Sequence, residues 1–230
     1  MNITDDGILL IDKPAGWTSF DVVAKLRGAR KSALKAQGIT PTKRQLRVGH
    51  AGTLDPFATG LLIILLGDAT KRSDEFLKQD KTYEATITLG ANSSTGDPEG
   101  ELTPVSDTVP SEAAVQDALA QFVGTVTQTP PAYSAIKVNG QRAYKLARKG
   151  HDVDIPTRQV TIHSLELLDY AYPRLSIRTH VSSGTYIRSL AQDIGAKLGT
   201  GAYCSQLRRT AIGASSIADA QEVDAVTKLD

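Results

Sequence analysis

Cysteine is almost missing from this chain: Cys204 is the one thiol in 230 residues. A single thiol cannot close an internal disulfide or supply a cysteine-based metal cluster, and its isolation fits a reducing compartment. The histidines, His50, His151, His163 and His180, are scattered, with none at metal-ligand spacing from another, so a structural or catalytic metal is not expected. Long apolar runs are lacking too. The longest, residues 61–66, is far too short to span a bilayer, and the N-terminus has no basic stretch leading into an apolar one. A cytoplasmic protein with no membrane partner is the expectation. No glycine-rich loop follows a strand at dinucleotide or phosphate-loop spacing, so a nucleotide cofactor has no seat and no cofactor is expected. With 40% hydrophobic and 22% charged residues, the chain can bury a sizeable core.

Net charge is also small, at +1, but its distribution is uneven, and distribution is what makes an electrostatic footprint. Between Lys25 and Arg47 stand eight basic residues and no acidic one (Lys25, Arg27, Arg30, Lys31, Lys35, Lys43, Arg44, Arg47). A second wholly basic stretch, residues 137–149, carries Lys137, Arg142, Lys145, Arg148 and Lys149. Between Thr82 and Ile136 the sign inverts, with seven acidic residues and no Lys or Arg. One basic and one acidic face are implied, although a solvated loop or helix face would also account for any one run.

No internal repeat, low-complexity tract or linker interrupts residues 1–230, so one catalytic unit with loop excursions is the simplest organisation. Residues 7–11 read as a buried strand. "TSFD" (18–21) reads as a helix start capped by Thr18 or Ser19, the helix ending near Arg27. A basic loop punctuated by Gly and Pro then spans 28–46. Residues 60–66 read as an apolar strand, 69–77 as a short helix, and 81–89 alternate like a half-buried strand. Residues 111–122 are amphipathic and helical, "TPPAYS" (129–134) interrupts regular structure, and Asn139-Gly140 makes a turn. A short basic helix over 141–149, a strand pair over 157–170 and 174–182, a helix over 185–198 and a strand over 203–212 complete the chain. The pattern is α+β, on a mixed and mostly antiparallel sheet.

The densest chemical signal is "GHAGTLDPFATGLL" (49–62), where Asp55 is the one acidic residue among small and apolar neighbours. Pro56 biases Asp55 toward extended geometry, and Gly49, Gly52 and Gly60 allow tight bends or close approach of another backbone. A carboxylate on a stiff turn before a buried strand is a way to present a nucleophile at the floor of a cleft. An aspartate capping a turn would have the same local sequence.

The segment resembles the signature of the TruB family of tRNA pseudouridine synthases. "GILLIDKPAGWTSFDVV" (7–23), "GDATK" (67–71), "KTYEATITLG" (81–90), "TPPAYSAIKVNGQRAYKLARKG" (129–150), "SSGTYIRSLAQDIG" (182–195) and "LRRTAIG" (207–213) resemble further family blocks in family order, covering nearly the whole chain. The resemblance implies the pseudouridine synthase fold and an isomerisation of the T-loop uridine at tRNA position 55. The glycosidic bond breaks, the flipped uracil turns and rejoins through C5, and no atom is gained or lost. Neither metal nor redox cofactor is then required.

By the same resemblance Asp55 is the catalytic carboxylate; at an ordinary pKa of about 3.9 it is ionised at neutral pH. Attack at C6, attack at C1′ and abstraction of a sugar proton are its alternatives. Arg188 matches the arginine that pairs with this aspartate. Tyr83 matches the tyrosine on which the extruded uracil stacks, a contact worth about 1 to 3 kcal/mol. His50 matches a histidine near the space the flipped base vacates, Lys13 and Pro14 match a "KP" turn, and Lys71 matches a lysine near the RNA or active site. Tyr186 and Leu207 would line the pocket. Residues 128–156 match a thumb-like insertion whose Arg142, Lys145 and Arg148 would face phosphates of the T-arm stem-loop, the expected partner of a monomeric enzyme.

Two features depart from the family pattern. The 28–46 segment is long and basic, which suggests an additional RNA-contacting loop or equally a disordered insertion, and the C-terminal PUA-like RNA-binding domain of many relatives is absent or vestigial. Two rival readings stand beside this one. "HDVDIPT" (151–157) superficially resembles a phosphohydrolase DxDx[TV] loop, but Pro156 stands where Thr or Val is required. A non-catalytic RNA-binding module could use the same basic surfaces.

Overall fold

The computed structural model describes residues 2–134, 136–138, 140–143, 146 and 154–228, excepting the side chains of residues 137, 138 and 142. In chain order its elements are β1 (Gly7–Lys13), α1 (Ser19–Ala36), β2 (Val48–Ala51), β3 (Thr59–Leu66), α2 (Ser73–Leu77), β4 (Lys81–Leu89), β5 (Ala91–Ser93) and β6 (Leu102–Pro104). They continue with α3 (Glu112–Ala120), β7 (Gly124–Gln128), β8 (Lys137–Val138), β9 (Gln141–Arg142), β10 (Arg158–Ala171) and β11 (Arg174–Val181). The chain closes with α4 (Ile187–Leu198), β12 (Ala202–Ile212), β13 (Ser215–Ser216), β14 (Gln221–Glu222) and α5 (Val223–Thr227). Two compact units form: Met1–Thr82 with Arg208–Asp230, and Tyr83–Leu207.

In the first unit β3 is central. It pairs antiparallel with β1 (Gly7↔Leu66 to Lys13↔Gly60) and with β2 (Val48↔Leu66 to Ala51↔Ile63), and parallel with the end of β12 at Arg208↔Thr59. Its sequence TGLLIILL is apolar from Leu61 onward because both faces are covered there. Leu62, Ile64 and Leu66 pack with Leu9, Ile11, Val22, Val23 and Leu26, while Leu61, Ile63 and Leu65 join Ala51 and Ile212.

Helix α1 starts as its sequence predicts. Thr18 Oγ1 accepts from Asp21 N at 3.1 Å, and Asp21 Oδ2 accepts from Thr18 N at 2.8 Å, a reciprocal capping box. It does not stop near Arg27. The segment read as a loop from residue 28 is helical to Ala36, because Leu26, Arg30, Ala33 and Leu34 continue its buried stripe. Gly28 costs the helix about 1 kcal/mol, which this packing outweighs.

Arg30 is 1% exposed. Its guanidinium donates to the carbonyls of Ile3 at 2.7 Å, Asp5 at 2.6 Å and Gln45, and to Asp6 Oδ1 at 2.7 Å. One side chain thus closes both the N-terminal segment and the loop that follows α1.

In the second unit β10 pairs antiparallel with β11 and with β7, and β4 lies beside β11, the alternating burial of β4 matching the sequence pattern. Pro173 forms a cis bond with Tyr172 in the β10–β11 turn. Helix α3 is capped by Ser111, whose Oγ accepts from Ala114 N at 3.2 Å. Helix α4 begins at Ile187, two residues later than predicted, and buries Ile187, Leu190, Ala191 and Ile194. The basic helix expected over 141–149 begins later: Gln141 and Arg142 pair with Val138 and Lys137, while Ala143 and Leu146 are helical. Lys145, Arg148, Lys149 and the Lys137 and Arg142 side chains lie outside the described residues.

Replacing Arg30 with Met should leave these carbonyls without a donor and lower stability by about 3 kcal/mol, read as a reduced midpoint in urea unfolding with an unchanged slope.

Candidate active site

Asp55 lies, half-buried, in the loop that crosses from β2 to β3. Loops of this composition leave carbonyls that no strand can satisfy, and here buried cations supply the donors. Lys13 is fully buried, and its ammonium donates to Trp17 O at 2.6 Å, Pro14 O at 2.9 Å and Pro56 O at 3.3 Å. Pro56 O also accepts from Gly16 N at 2.8 Å. The "KP" turn and the Asp55-Pro56 turn are therefore tied through one carbonyl.

Arg209, 1% exposed, ties the other side. Its guanidinium donates to Leu61 O at 2.8 Å, Gly52 O at 3.0 Å and Thr53 O at 3.4 Å, linking the start of the loop to β3. Gly60 has φ +102°, and a Cβ there would stand 2.3 Å from the Arg209 carbonyl, so only glycine lets the strands approach. Ser19, at the start of α1, accepts from Leu54 N at 2.9 Å and donates to Leu54 O at 3.1 Å. The residue before Asp55 is held on both its polar groups.

Three cations, Lys13, Arg209 and Lys81, surround this loop. Burial lowers the Lys13 ammonium to about 8, opposed by the attraction of Asp55 and reinforced by repulsion from Arg209. Lys81, whose Nζ donates to Gln79 O at 2.5 Å and Leu77 O at 3.1 Å, is lowered to about 8 as well, by burial and then by Arg209. His50 is half-buried; burial, then Arg209, lowers its imidazole below the usual range and favours the neutral ring. Its Nδ1 is buried and finds no hydrogen-bond partner among the described residues. Pro14 is exposed. Lys71 is exposed and meets Asp68 at 3.3 Å, in a surface cluster where Asp68 also pairs with Arg44 and, at 3.9 Å, Arg47. Sequence reading missed Arg209 and Ser19; the alternation of β12, which buries Leu207 and Arg209 alike, is the signal that could have found the first.

In the second unit Arg188 is 3% exposed, in the first turn of α4. It donates to Thr95 O at 2.9 Å, Tyr133 O at 2.8 Å and Asp97 Oδ2 at 3.0 Å. Asp97, 6% exposed at its side chain, is a partner that sequence reading did not single out. Its other oxygen accepts from Thr95 Oγ1 at 2.6 Å and Glu99 N at 3.0 Å, fixing the carboxylate. The turn-rich "TGDPEG" was its only trace. Tyr83 and Leu207 are buried at 7% and 8% exposure. Tyr186 is clamped by Gln128, which accepts from Tyr186 N at 2.8 Å and donates to Tyr186 O at 3.0 Å, and Arg158 lies over its ring at 4.9 Å.

The family model for the N-terminal domain of TruB family pseudouridylate synthases matches residues 32–187, and that for the tRNA pseudouridylate synthase B C-terminal domain matches 188–229. This chain belongs to the TruB family. Relatives named tRNA pseudouridine synthase B include one from Burkholderia pseudomallei, 45% identical over 96% of this chain and 69% of its own. Another, from Opitutus terrae, is 45% identical over 97% and 88%. A third, from Parabacteroides distasonis, is 47% identical over 90% and 85%. Among solved structures, a Cbf5-Nop10-Gar1 complex matches with TM-score 0.65 and 31% identity over 93% of this chain and 50% of that one. An H/ACA RNP bound to a substrate RNA containing 2′-deoxyuridine matches with TM-score 0.67 and 26% identity over 98% and 53%. The TruB chain therefore has the α+β pseudouridine synthase fold that the sequence suggested.

The Lys13 values set a pH prediction. Folded Lys13 holds its proton below about pH 8 and loses it above, whereas the unfolded lysine keeps it to 10.5. From this group, stability should rise with pH between those values as the desolvated charge is relieved. Activity should fall over the same rise, because the ammonium that ties the Asp55 turn is lost. Single-turnover rates should show an alkaline limb near pH 8; Lys13→Met should be slow at every pH and lack that limb.

Proposed function

We propose that this TruB-family chain isomerises uridine to pseudouridine in tRNA, at the T-loop uridine of position 55. The observation that carries the reading is Asp55 in a loop whose neighbours are all tied down: Leu54 by Ser19, Pro56 by Gly16 and Lys13, and Gly52 and Thr53 by Arg209. A carboxylate that forms or breaks a bond to a ribose or a pyrimidine gains from such pre-organisation, since reacting atoms must meet at about 3 to 3.5 Å. The names of the relatives point to the same reaction.

In this reading Asp55 acts on the extruded nucleotide as nucleophile or base, Arg188 supplies its counter-charge, and the Tyr83 ring receives the uracil face. His50, held toward the neutral ring by burial and by Arg209, suits the position the flipped base vacates. The isomerisation conserves atoms, so the reaction asks the protein to hold, turn and rejoin the base. The thumb-like segment 128–156 takes the T-arm stem-loop.

The experiment is tritium release from an unmodified tRNA transcript carrying 5-tritiated uridine. The parent chain should release label equivalent to one uridine per tRNA, mapped to position 55 by the reverse-transcription stop at a carbodiimide adduct of the pseudouridine. Asp55→Asn should release none above background while still binding tRNA. Release by Asp55→Asn at the parental rate would end the assignment of this carboxylate.

A further inference from the structure

The eight cations between Lys25 and Arg47 are not equivalent. Arg30 is buried on backbone carbonyls, and Arg27 donates to Val48 O at 3.1 Å. Lys25 meets Asp224 at 3.4 Å, and Arg44 and Arg47 meet Asp68. That leaves Lys31, Lys35 and Lys43 exposed and without a carboxylate among the described residues. Two of the three, Lys31 and Lys35, are on α1, not in a loop.

Helical spacing places them in one row. Phe20, Ala24, Lys31 and Lys35 follow at intervals of four, seven and four, which returns to the same side of a helix each time. All four are exposed, and so is Gly28 beside them, while Ser19, Val22, Val23, Leu26, Arg30 and Ala33 make the opposite, buried side. Phe20 leads the row at 62% exposure, an unusual position for a phenyl ring. Ala24 and Gly28 are small, and Arg27, which shares this side of the helix, is half-buried with its guanidinium donating to Val48 O. The leading end is also anchored: Ser19, next to Phe20, holds both polar groups of Leu54, next to Asp55. The row therefore begins beside the catalytic turn and runs outward for about 22 Å, at 1.5 Å per residue.

We infer that the exposed face of α1, from Phe20 through Lys31 to Lys35, is a docking track for the substrate RNA outside the reacting nucleotide. Phe20 stacks an unpaired base and the two lysines neutralise backbone phosphates. An aromatic followed by spaced cations is the chemistry that single-stranded or looped nucleic acid recognises, and a like-charged or apolar protein partner would not be drawn to it. This rests on the reading that the substrate is RNA, and it assigns the contact of the long basic segment to a helix face.

The test measures tRNA affinity as a function of salt, with single-turnover rate at saturating tRNA as a separate readout. Lys31→Gln with Lys35→Gln should lower the magnitude of the log–log salt slope by about 1.5, because two phosphates are no longer neutralised, with the saturated rate unchanged. Phe20→Ala should weaken binding about tenfold with no change in slope. Lys25→Gln, whose charge is already paired on another side of the helix, should change the slope less than either track lysine. An unchanged slope in the double lysine variant, or unchanged affinity in Phe20→Ala, overturns the track. If the parent chain binds tRNA with these dependences but forms no pseudouridine, the reading of the reaction fails and the track stands.

Discussion

The first unit depends on one kind of interaction: a buried cation donating to main-chain carbonyls. Lys13, Arg30, Lys81 and Arg209 are all nearly or fully buried, and each closes at least two carbonyls in a turn or loop. Chains rich in Gly and Pro turns leave carbonyls that neither helix nor sheet can satisfy, and a buried acceptor without a donor costs about 1 to 3 kcal/mol. A long cationic side chain carries several donors to one place. Its desolvation is the opposing cost, and the two lysines record it, both lowered to about 8 by burial, while arginine keeps its proton under any such burial.

The second unit uses the same device, with a buried carboxylate as partner where Arg30 meets the exposed Asp6. Arg188 closes the carbonyls of Thr95 and Tyr133 but also meets a carboxylate, Asp97, at 3.0 Å. Removing either partner would strand a charge in a dry site, which is costlier than losing a surface pair. Asp97 is itself held by Thr95 and Glu99, so the guanidinium is placed by a chain of contacts that begins in the β5–β6 connection.

Features set by local pattern were legible in the sequence. The apolar run of β3, the alternation of β4 and the Thr18 cap of α1 all appear where they were read, because each rests on periodicity or on one cap. Asp55 was visible through its isolation among small residues. The extension of α1 beyond Arg27 was not, since Gly28 and a run of cations look like loop, and the burial of Arg30 that continues the helix stripe depends on carbonyls distant in sequence. Arg209 and Asp97 were hidden for the same reason. A buried arginine is written in the same letter as a solvated one, and its partners at residues 52, 53 and 61 are over a hundred positions away.

Closing turns with cations and carbonyls, instead of with ion pairs, has an electrostatic consequence. A carbonyl satisfies a donor without cancelling its charge. The loop around Asp55 therefore retains the positive potential of Lys13, Lys81 and Arg209, and Asp55 is the one acidic residue between Gly49 and Leu62. At longer range that potential favours the approach of a polyanion. A structure braced with Asp or Glu partners could hold the same turn as firmly, yet it would neutralise the field around it. The brace thus keeps a positive field at this loop, and the cost of burying uncancelled charge is the stability that this unit gives up for it.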